Sequence, residues 1–115
     1  MATVAFVDNY NHGGSWSAVS TGDTATPHKV TKSGFYAFAT DGTYAGGSTA
    51  KLLYGPTSSP TKSVSTDAAG TEWSATSIIG VVIVWLAEGF YVKPSVTGGA
   101  ADDINFYLAY AGDSA

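Results

Sequence analysis

One segment that occurs twice restricts the fold more than any other feature of the sequence. Residues 34–54 read GFYAFATDGTYAGGSTAKLLY, and residues 89–110 read GFYVKPSVTGGAADDINFYLAY. Both copies begin with Gly-Phe-Tyr, continue through a double glycine and end in Leu-x-Tyr. In a chain of 115 residues, two such copies predict two similar structural units within one fold.

The second copy alternates between two sets of side chains with a period of two, which is typical of a β-strand with one buried face. A glycine-rich turn at 97–99 divides the pattern into two strands. The inward set is Phe90, Val92, Pro94 and Val96 before the turn, and Ile104, Phe106, Leu108 and Tyr110 after it. Strand, glycine turn and strand predict an antiparallel hairpin.

The first copy predicts a similar hairpin, with strands at 35–40 and 50–54. Aligning its Leu-x-Tyr sequence with that of the second copy puts the same side inward in both hairpins. This alignment leaves Phe38, Leu53 and Tyr107 on the outward side. Two related hairpins are what a double Greek key contains.

Further short strands are predicted at 4–7, 15–19, 62–65 and 72–76, and the polar segments 9–14 and 56–70 are predicted loops. Residues 1–14 are a candidate N-terminal arm and loop. Strong helix formers are scarce, since Glu, Arg and Met together number only three. About eight short strands without a helix predict an all-β fold: one domain, 1–115, built as an antiparallel two-sheet sandwich.

The run 81–86 is apolar on both sides of a strand, which predicts a central strand with both faces covered. Together with the outward positions of Phe38, Leu53 and Tyr107, it indicates that one sheet carries an apolar outer face. We interpret these three residues as a candidate subunit interface. The alternatives are an incorrect register or a loop that covers the sheet.

Composition excludes several classes of partner. The chain has no Arg, and five Lys stand against nine acids, so a basic stripe for nucleic acid is not expected. The apolar run is shorter than the ~18 residues of a membrane helix, and no secretory signal is visible. Only 12% of residues are charged, which favours a homo-oligomer or a surface-bound protein over an isolated monomer.

The sequence contains no pattern of catalytic residues. It has no Cys, no Gly-x-Ser-x-Gly, no His-Glu-x-x-His and no P-loop, and its two histidines are His12 and His28. His28 is predicted to be an exposed residue at the start of a strand. The segment 8–13 resembles a calcium loop only superficially, and Asp102-Asp103 is predicted to be a solvated loop tip. We therefore expect no enzyme, no metal and no cofactor.

Aromatic residues are the remaining candidates for a ligand site. Trp16, Trp73, Tyr10 and Tyr44 form a candidate glycan platform on a face of the sandwich. The alternative is that these side chains belong to the core or to an interface, which is the more common place for aromatics in β proteins.

The sequence resembles the small jelly-roll virion proteins of tailed bacteriophages, which decorate or cement capsids or cap tail appendages. The resemblance spans about residues 15–111 and lies in SGFYAFA and EGFYVKP, in STAKLLYGP and GTEWSAT, and in the LAEG that ends the apolar run. It implies a jelly roll, often a trimer, that binds the major capsid protein or another virion protein. It also implies a virion location without catalytic residues. A carbohydrate-binding sandwich, free or as a receptor-binding tip, is the alternative.

Overall fold

A computed structural model describes residues 2–44, 47–65, 72–77, 81–99 and 102–112. In this part of the chain the regular structure is entirely β, and no helix is present. The strands are β1 Thr3–Val4, β2 Val7–Tyr10, β3 Gly13–Val19, β4 Thr24–Ala25, β5 His28–Lys29, β6 Gly34–Thr43, β7 Thr49–Gly55, β8 Lys62–Ser63, β9 Val82–Leu86, β10 Tyr91–Thr97 and β11 Asp103–Gly112.

Two antiparallel sheets pack against each other, so the predicted all-β sandwich is confirmed. One sheet has five strands in the order β2-β3-β11-β6-β9, and the other has four in the order β5-β10-β7-β8. A short parallel pair, β1 with β4, lies beside them. Because each strand turns one side inward, the core forms between the sheets; its largest members are Trp16, Tyr36, Phe38 and Phe106.

The order of the strands is that of a jelly roll. When β1, β2 and β4 are set aside, eight strands remain, and they pair first with last and so on inward: β3 with β11, β5 with β10, β6 with β9 and β7 with β8. A single long hairpin rolled up into two sheets produces these pairs, and it is the jelly-roll arrangement of two Greek keys.

The two copies of the repeat do not form hairpins, so that part of the prediction is wrong. β6 and β7 of the first copy lie in different sheets, and so do β10 and β11 of the second. Each strand pairs instead with a strand of the other copy, β6 with β11 and β7 with β10. Alternation shows only that each strand has one buried face. It does not reveal whether the next strand lies beside it in the same sheet or across the core in the other sheet.

The turns of the two copies contact each other at one end of the sandwich. Gly47 has a φ of 87° and Gly98 a φ of 80°, a region that favours glycine. A Cβ on Gly98 would lie 3.0 Å from the carbonyl oxygen of Gly47. Both positions therefore favour glycine for their backbone conformation, and at Gly98 the close approach of the turns adds a second reason.

Phe38 is a core residue, and its predicted outward position is wrong. The side chain is fully buried, and its ring centroid lies 5.0 Å from that of Trp73 and 6.0 Å from that of Phe106. The inward side of β6 carries Tyr36 and Phe38, whereas the outward side offers Phe35 and two alanines. Burial of two large aromatic rings removes more apolar surface from water, so side-chain bulk decides the orientation.

β9 is an edge strand, although the sequence predicts a central one. It pairs with β6 at one end of the five-stranded sheet. Val84 and Leu86 point into the core, but Ile83 and Trp85, which alternate with them, point outward and remain exposed. The second apolar side of this strand is therefore not covered by the described part of the chain.

Other predicted elements shift in extent. The segment 62–65 becomes the short strand β8, and 72–76 contributes only isolated bridges, Ser65 with Glu72 and Ala50 with Ala75. The predicted loop 9–14 is reduced to a turn at Asn11 and His12. Within the candidate arm 1–14, β2 pairs with β3 and belongs to the five-stranded sheet, whereas β1 forms the separate parallel pair with β4. Residues 66–70 of the predicted loop 56–70 lie outside the described residues.

We expect Phe38→Ala to lower the free energy of unfolding by about 3–5 kcal/mol, because it opens a cavity in the core. The control change Leu53→Ala, on the outward side of β7 in the other sheet, is expected to lower it by less than about 1.5 kcal/mol. Urea unfolding followed by tryptophan fluorescence measures both values. Equal losses for the two variants would contradict the inward orientation of Phe38.

Candidate functional site: the outer faces of the sandwich

The outer face of the five-stranded sheet is apolar across β11, β6 and β9. Phe35 lies opposite Trp85, and Ala37 lies between Ile83 and Ala109. Residues directly opposite each other on neighbouring strands point to the same side of a sheet. We call this surface the apolar face; its members are Phe35, Ala37, Ala39, Ile83, Trp85, Tyr107 and Ala109.

Three of the five exposed large apolar side chains in the described ranges lie on or next to β9. Ile83 is 48% exposed, Trp85 is 53% exposed, and Val81, which precedes the strand, is 65% exposed. At the opposite edge of the same sheet Val7 and Tyr10 are also exposed. The exposed residues of β9, next to the apolar outward side chains of β6, are typical of an interaction surface.

β9 also presents an open backbone edge. In the described part of the chain it pairs only with β6, and its sequence Val-Ile-Val-Trp-Leu contains no charge and no proline. Natural proteins commonly protect exposed edges with lysine, proline or a bulge. The apolar face therefore ends in a strand that can accept a further strand.

A small polar cluster borders the apolar face at one end. The Tyr107 hydroxyl donates to Asp41 over 3.0 Å, and the Asn105 side-chain amide donates to the same carboxylate over 2.8 Å. Desolvation of the Tyr107 hydroxyl, and then its hydrogen bond to Asp41 and the charge of that carboxylate, raise the pKa of Tyr107. The hydroxyl therefore stays a hydrogen-bond donor at neutral pH, and the Asp41 charge is held at the rim.

The three residues of the predicted interface do not share one surface. Tyr107 belongs to the apolar face, whereas Leu53 lies on the outer face of the four-stranded sheet, opposite Lys93. Phe38 lies in the core. An apolar outer face is present as predicted, but its main members are Trp85, Ile83 and Phe35. Trp85 and Ile83 would have been found by treating 81–86 as an edge strand with one exposed side.

The four residues of the candidate glycan platform are also separated. Trp16 is fully buried, and its indole N–H donates to the backbone oxygen of Thr26 over 2.7 Å. Trp73 packs its ring on Phe38 in the core. Tyr44 is half-buried, and Tyr10 is exposed, with its ring 6.5 Å from that of Tyr107. The structure therefore does not form a platform from these side chains.

A shallow groove of about 540 Å³ lies at the end of β6, lined by Gly42, Thr43, Tyr44, Thr76 and Ser77. Desolvation raises the pKa of Tyr44, although the hydrogen bond between its hydroxyl and that of Thr40 opposes this shift. The phenol therefore stays protonated at neutral pH. None of the lining side chains is an acid or a histidine, so the groove has no base beside its hydroxyls.

Asp102 is a buried carboxylate, so its predicted position at a solvated loop tip is wrong. It is 2% exposed and accepts hydrogen bonds from the Thr21 backbone N–H at 2.9 Å, the Thr21 hydroxyl at 2.7 Å and the Ser48 hydroxyl. Burial acts to raise the pKa of Asp102, but the hydrogen bonds from Ser48 and Thr21 outweigh it and lower the pKa below the usual 3.8. This carboxylate connects the β3–β4 loop with the turns of both repeat copies.

His28 is half-buried, not exposed as predicted. Its ring stacks on Phe6 with centroids 4.3 Å apart, and its buried Nε2 has no hydrogen-bond partner among the described residues. Burial lowers the pKa of His28, while a hydrogen bond to the His12 backbone and the charge of Asp8 oppose that shift. The other histidine, His12, contacts the Thr31 hydroxyl through Nδ1 at 2.9 Å.

The segment 8–13 does not form an ion-binding loop. It runs through β2, a two-residue turn and the start of β3, so its backbone takes part in strand pairing. Within the described ranges no group of three or more His, Cys, Asp or Glu side chains is placed to hold a metal ion.

We expect Asp102→Asn to lower the free energy of unfolding by about 2–3 kcal/mol at pH 7, since it weakens charge-assisted hydrogen bonds to a buried group. Because the folded-state pKa of Asp102 is below the usual 3.8, its contribution is present above that pH and is lost as the pH falls through the folded pKa. The difference between wild type and variant, measured by urea unfolding at several pH values, should therefore shrink below pH 3.8. Asp103→Asn, at the exposed neighbouring position, is the control. An equal loss of unfolding free energy in that variant would contradict a specific stabilising role of the buried Asp102 carboxylate.

Protonation of His28 is expected to destabilise the fold. Its folded-state pKa is below the usual 6.5, so its contribution is complete above that pH and is lost as the pH falls through the folded pKa. Urea unfolding between pH 7.5 and 5 should show this decline in the wild type and in His12→Gln, but a flatter profile in His28→Phe. If the pH profile of His28→Phe matched that of the wild type, protonation of His28 would not be the cause of the decline.

Comparison of the sequence with protein-family models and with curated proteins, and of the fold with solved structures, found no match. In the described ranges no helix is long and apolar enough to cross a membrane.

Proposed function

We propose that this protein is a non-enzymatic structural protein of a tailed-bacteriophage virion, of the type that decorates or cements the capsid, and that it acts as a homo-oligomer. The observation that carries the proposal is the apolar face with its exposed residues Ile83 and Trp85. The jelly-roll strand order and the resemblance of the GFY segments to phage virion proteins support it further.

A second copy of the chain is the partner that best fits the apolar face. The surface holds no charged side chain, so two copies can meet without burying an unpaired charge. The three strands that carry the apolar face, about 4.8 Å apart and about seven residues long, offer roughly 330 Å² per copy. A specific interface of ~1,000 Å² in total therefore extends beyond this face to neighbouring residues, such as the exposed Val81.

The resemblance to phage decoration proteins favours a trimer as the assembled form, in which the apolar faces of three copies meet around a three-fold axis. In this proposal Trp85, Ile83 and Phe35 take the place that the sequence predicts for Phe38 and Leu53, and Tyr107 keeps its role. The assembled subunits bind the outer surface of the shell through the major capsid protein; a tail appendage is the alternative location. Binding to shells that lack the protein, followed by cosedimentation, and an increase in their resistance to heat would test this role.

A carbohydrate-binding module or receptor-binding tip is the second candidate, because the indole of Trp85 is exposed beside Phe35. An exposed indole can stack on a sugar ring, and saturable quenching of tryptophan fluorescence by a glycan would support this function. The two candidates differ in what Trp85 contacts: a second copy of the chain in one case, and a saccharide in the other.

We expect Trp85→Lys to weaken self-association by about 3 kcal/mol, since it removes a large apolar contact and places a charge in the interface. Light scattering after gel filtration, over about 1–100 μM protein, should show an oligomer for wild type and a smaller species for the variant. Thr97→Lys, an exposed change in the other sheet, is the control and should leave the mass unchanged. A wild-type monomer throughout this range would refute the interface.

A further inference from the structure

The charges of the strands are divided between the two sheets. The strands of the four-stranded sheet carry four of the five lysines and no acid; these are Lys29, Lys51, Lys62 and Lys93. The strands of the five-stranded sheet carry no lysine and three acids; these are Asp8, Asp41 and Asp103. A chain with a net charge of -4 therefore concentrates its positive charge on one side of the sandwich.

Three of these lysines share the outer face of the four-stranded sheet. Lys29, Lys93 and Lys51 lie on β5, β10 and β7, and their register partners on the adjacent strands are Tyr91, Leu53 and Ser95. The alternate residues of β10 are buried, so this set points outward. With strands about 4.8 Å apart and alternate residues about 6.8 Å apart, successive lysines lie about 8 Å from each other at Cα. We call these three residues the lysine stripe.

One end of the lysine stripe lies near an acid. The pKa of Glu72 is lowered, first by the hydrogen bond from the Ser63 N–H and further by the charges of Lys51 and Lys62. Glu72 therefore offsets part of the charge of Lys51. The other two members, Lys29 and Lys93, lie on adjacent strands of the sheet.

We propose that the lysine stripe is a docking surface for an acidic patch on a partner protein. Charge complementarity defines this partner, because the four-stranded sheet presents cations on a chain that is otherwise acidic. That the partner is the virion shell rests on the proposed function. The stripe and the apolar face lie on opposite sides of the sandwich, so the subunit can associate with its own copies through one side and with a different protein through the other.

The composition of the stripe favours a protein over nucleic acid or a lipid bilayer. Half-buried Tyr91 and Leu53 lie among the lysines, and an aromatic and an aliphatic side chain within a charged rim are typical of protein interfaces. Nucleic acid and anionic bilayers present extended negative charge, which repels the acids on the rest of this chain. Three lysines in a short diagonal match a patch of a few carboxylates instead.

Binding to immobilised poly-L-glutamate in low salt tests the docking surface. We expect the wild type to bind, and to bind about tenfold more weakly when NaCl is raised from 25 to 200 mM, since exposed charges are screened. Lys93→Gln should weaken binding by about threefold to fivefold. Lys32→Gln removes the same charge from outside the stripe, where Lys32 lies over the Tyr110 ring, and should have less than a twofold effect.

A triple variant, Lys29→Gln with Lys51→Gln and Lys93→Gln, should lose binding while keeping the wild-type mass in light scattering. In Trp85→Ser, which adds no charge, loss of self-association without loss of poly-L-glutamate binding would show that the stripe acts independently of the apolar face. Equal weakening by Lys93→Gln and Lys32→Gln would overturn the proposal. Tighter binding to 30% phosphatidylglycerol vesicles or to a DNA duplex than to poly-L-glutamate would overturn the assignment to a protein partner.

Discussion

The carboxylate of Asp102 lies where the three connections at one end of the sandwich meet. It accepts hydrogen bonds from Ser48, which precedes β7, and from Thr21 in the β3–β4 loop, and it directly precedes β11 itself. The Thr21 hydroxyl in turn accepts a hydrogen bond from the Gly99 N–H at 3.1 Å. Because both repeat copies cross between the sheets at this end, these bonds connect the two sheets where no strand pairing does so. The two outer faces lie on opposite sides of the molecule because both repeat copies cross between the sheets at this end.

Crossing connections also explain why the two faces differ in chemistry. Each repeat copy contributes one strand to each sheet, so the outward residues of its two strands appear on opposite sides of the molecule. The first copy places Phe35 on the apolar face and Lys51 on the lysine stripe. The second copy places Tyr107 on the apolar face and Lys93 on the stripe. A pair of hairpins, each within one sheet, would have mixed these residues on the same side.

Alternation in the sequence was sufficient to predict the four strands of the repeat copies, β6, β7, β10 and β11, and the inward side of β10 and β11. The number of short strands and the lack of a helix pattern were sufficient to predict the two-sheet sandwich. Alternation was not sufficient to predict pairing, because a strand with one buried face does not reveal whether its successor lies beside it or across the core. The error at Phe38 came from aligning the two copies, whereas comparison of side-chain bulk on the two sides of β6 favours the observed orientation. Trp85 was missed for a related reason: an apolar strand without alternation is read as central unless the topology places it at an edge. Burial of Asp102 depends on hydroxyls distant in sequence, which no local pattern reveals.

The pairing of the first jelly-roll strand with the last has a consequence for the order of folding. Trp16 on β3 lies opposite Phe106 on β11, ninety residues later in the chain. During synthesis, the edge of β3 that pairs with β11 therefore stays unpaired until β11 has left the ribosome. Until then Trp16 also lacks its neighbour Phe106. Non-local pairing of this kind makes folding slow, and it leaves partly made chains with unpaired strands. Completion of the five-stranded sheet is thus a late event after synthesis of β11, and newly made chains depend on rapid closure of that last strand to avoid association through unfinished edges.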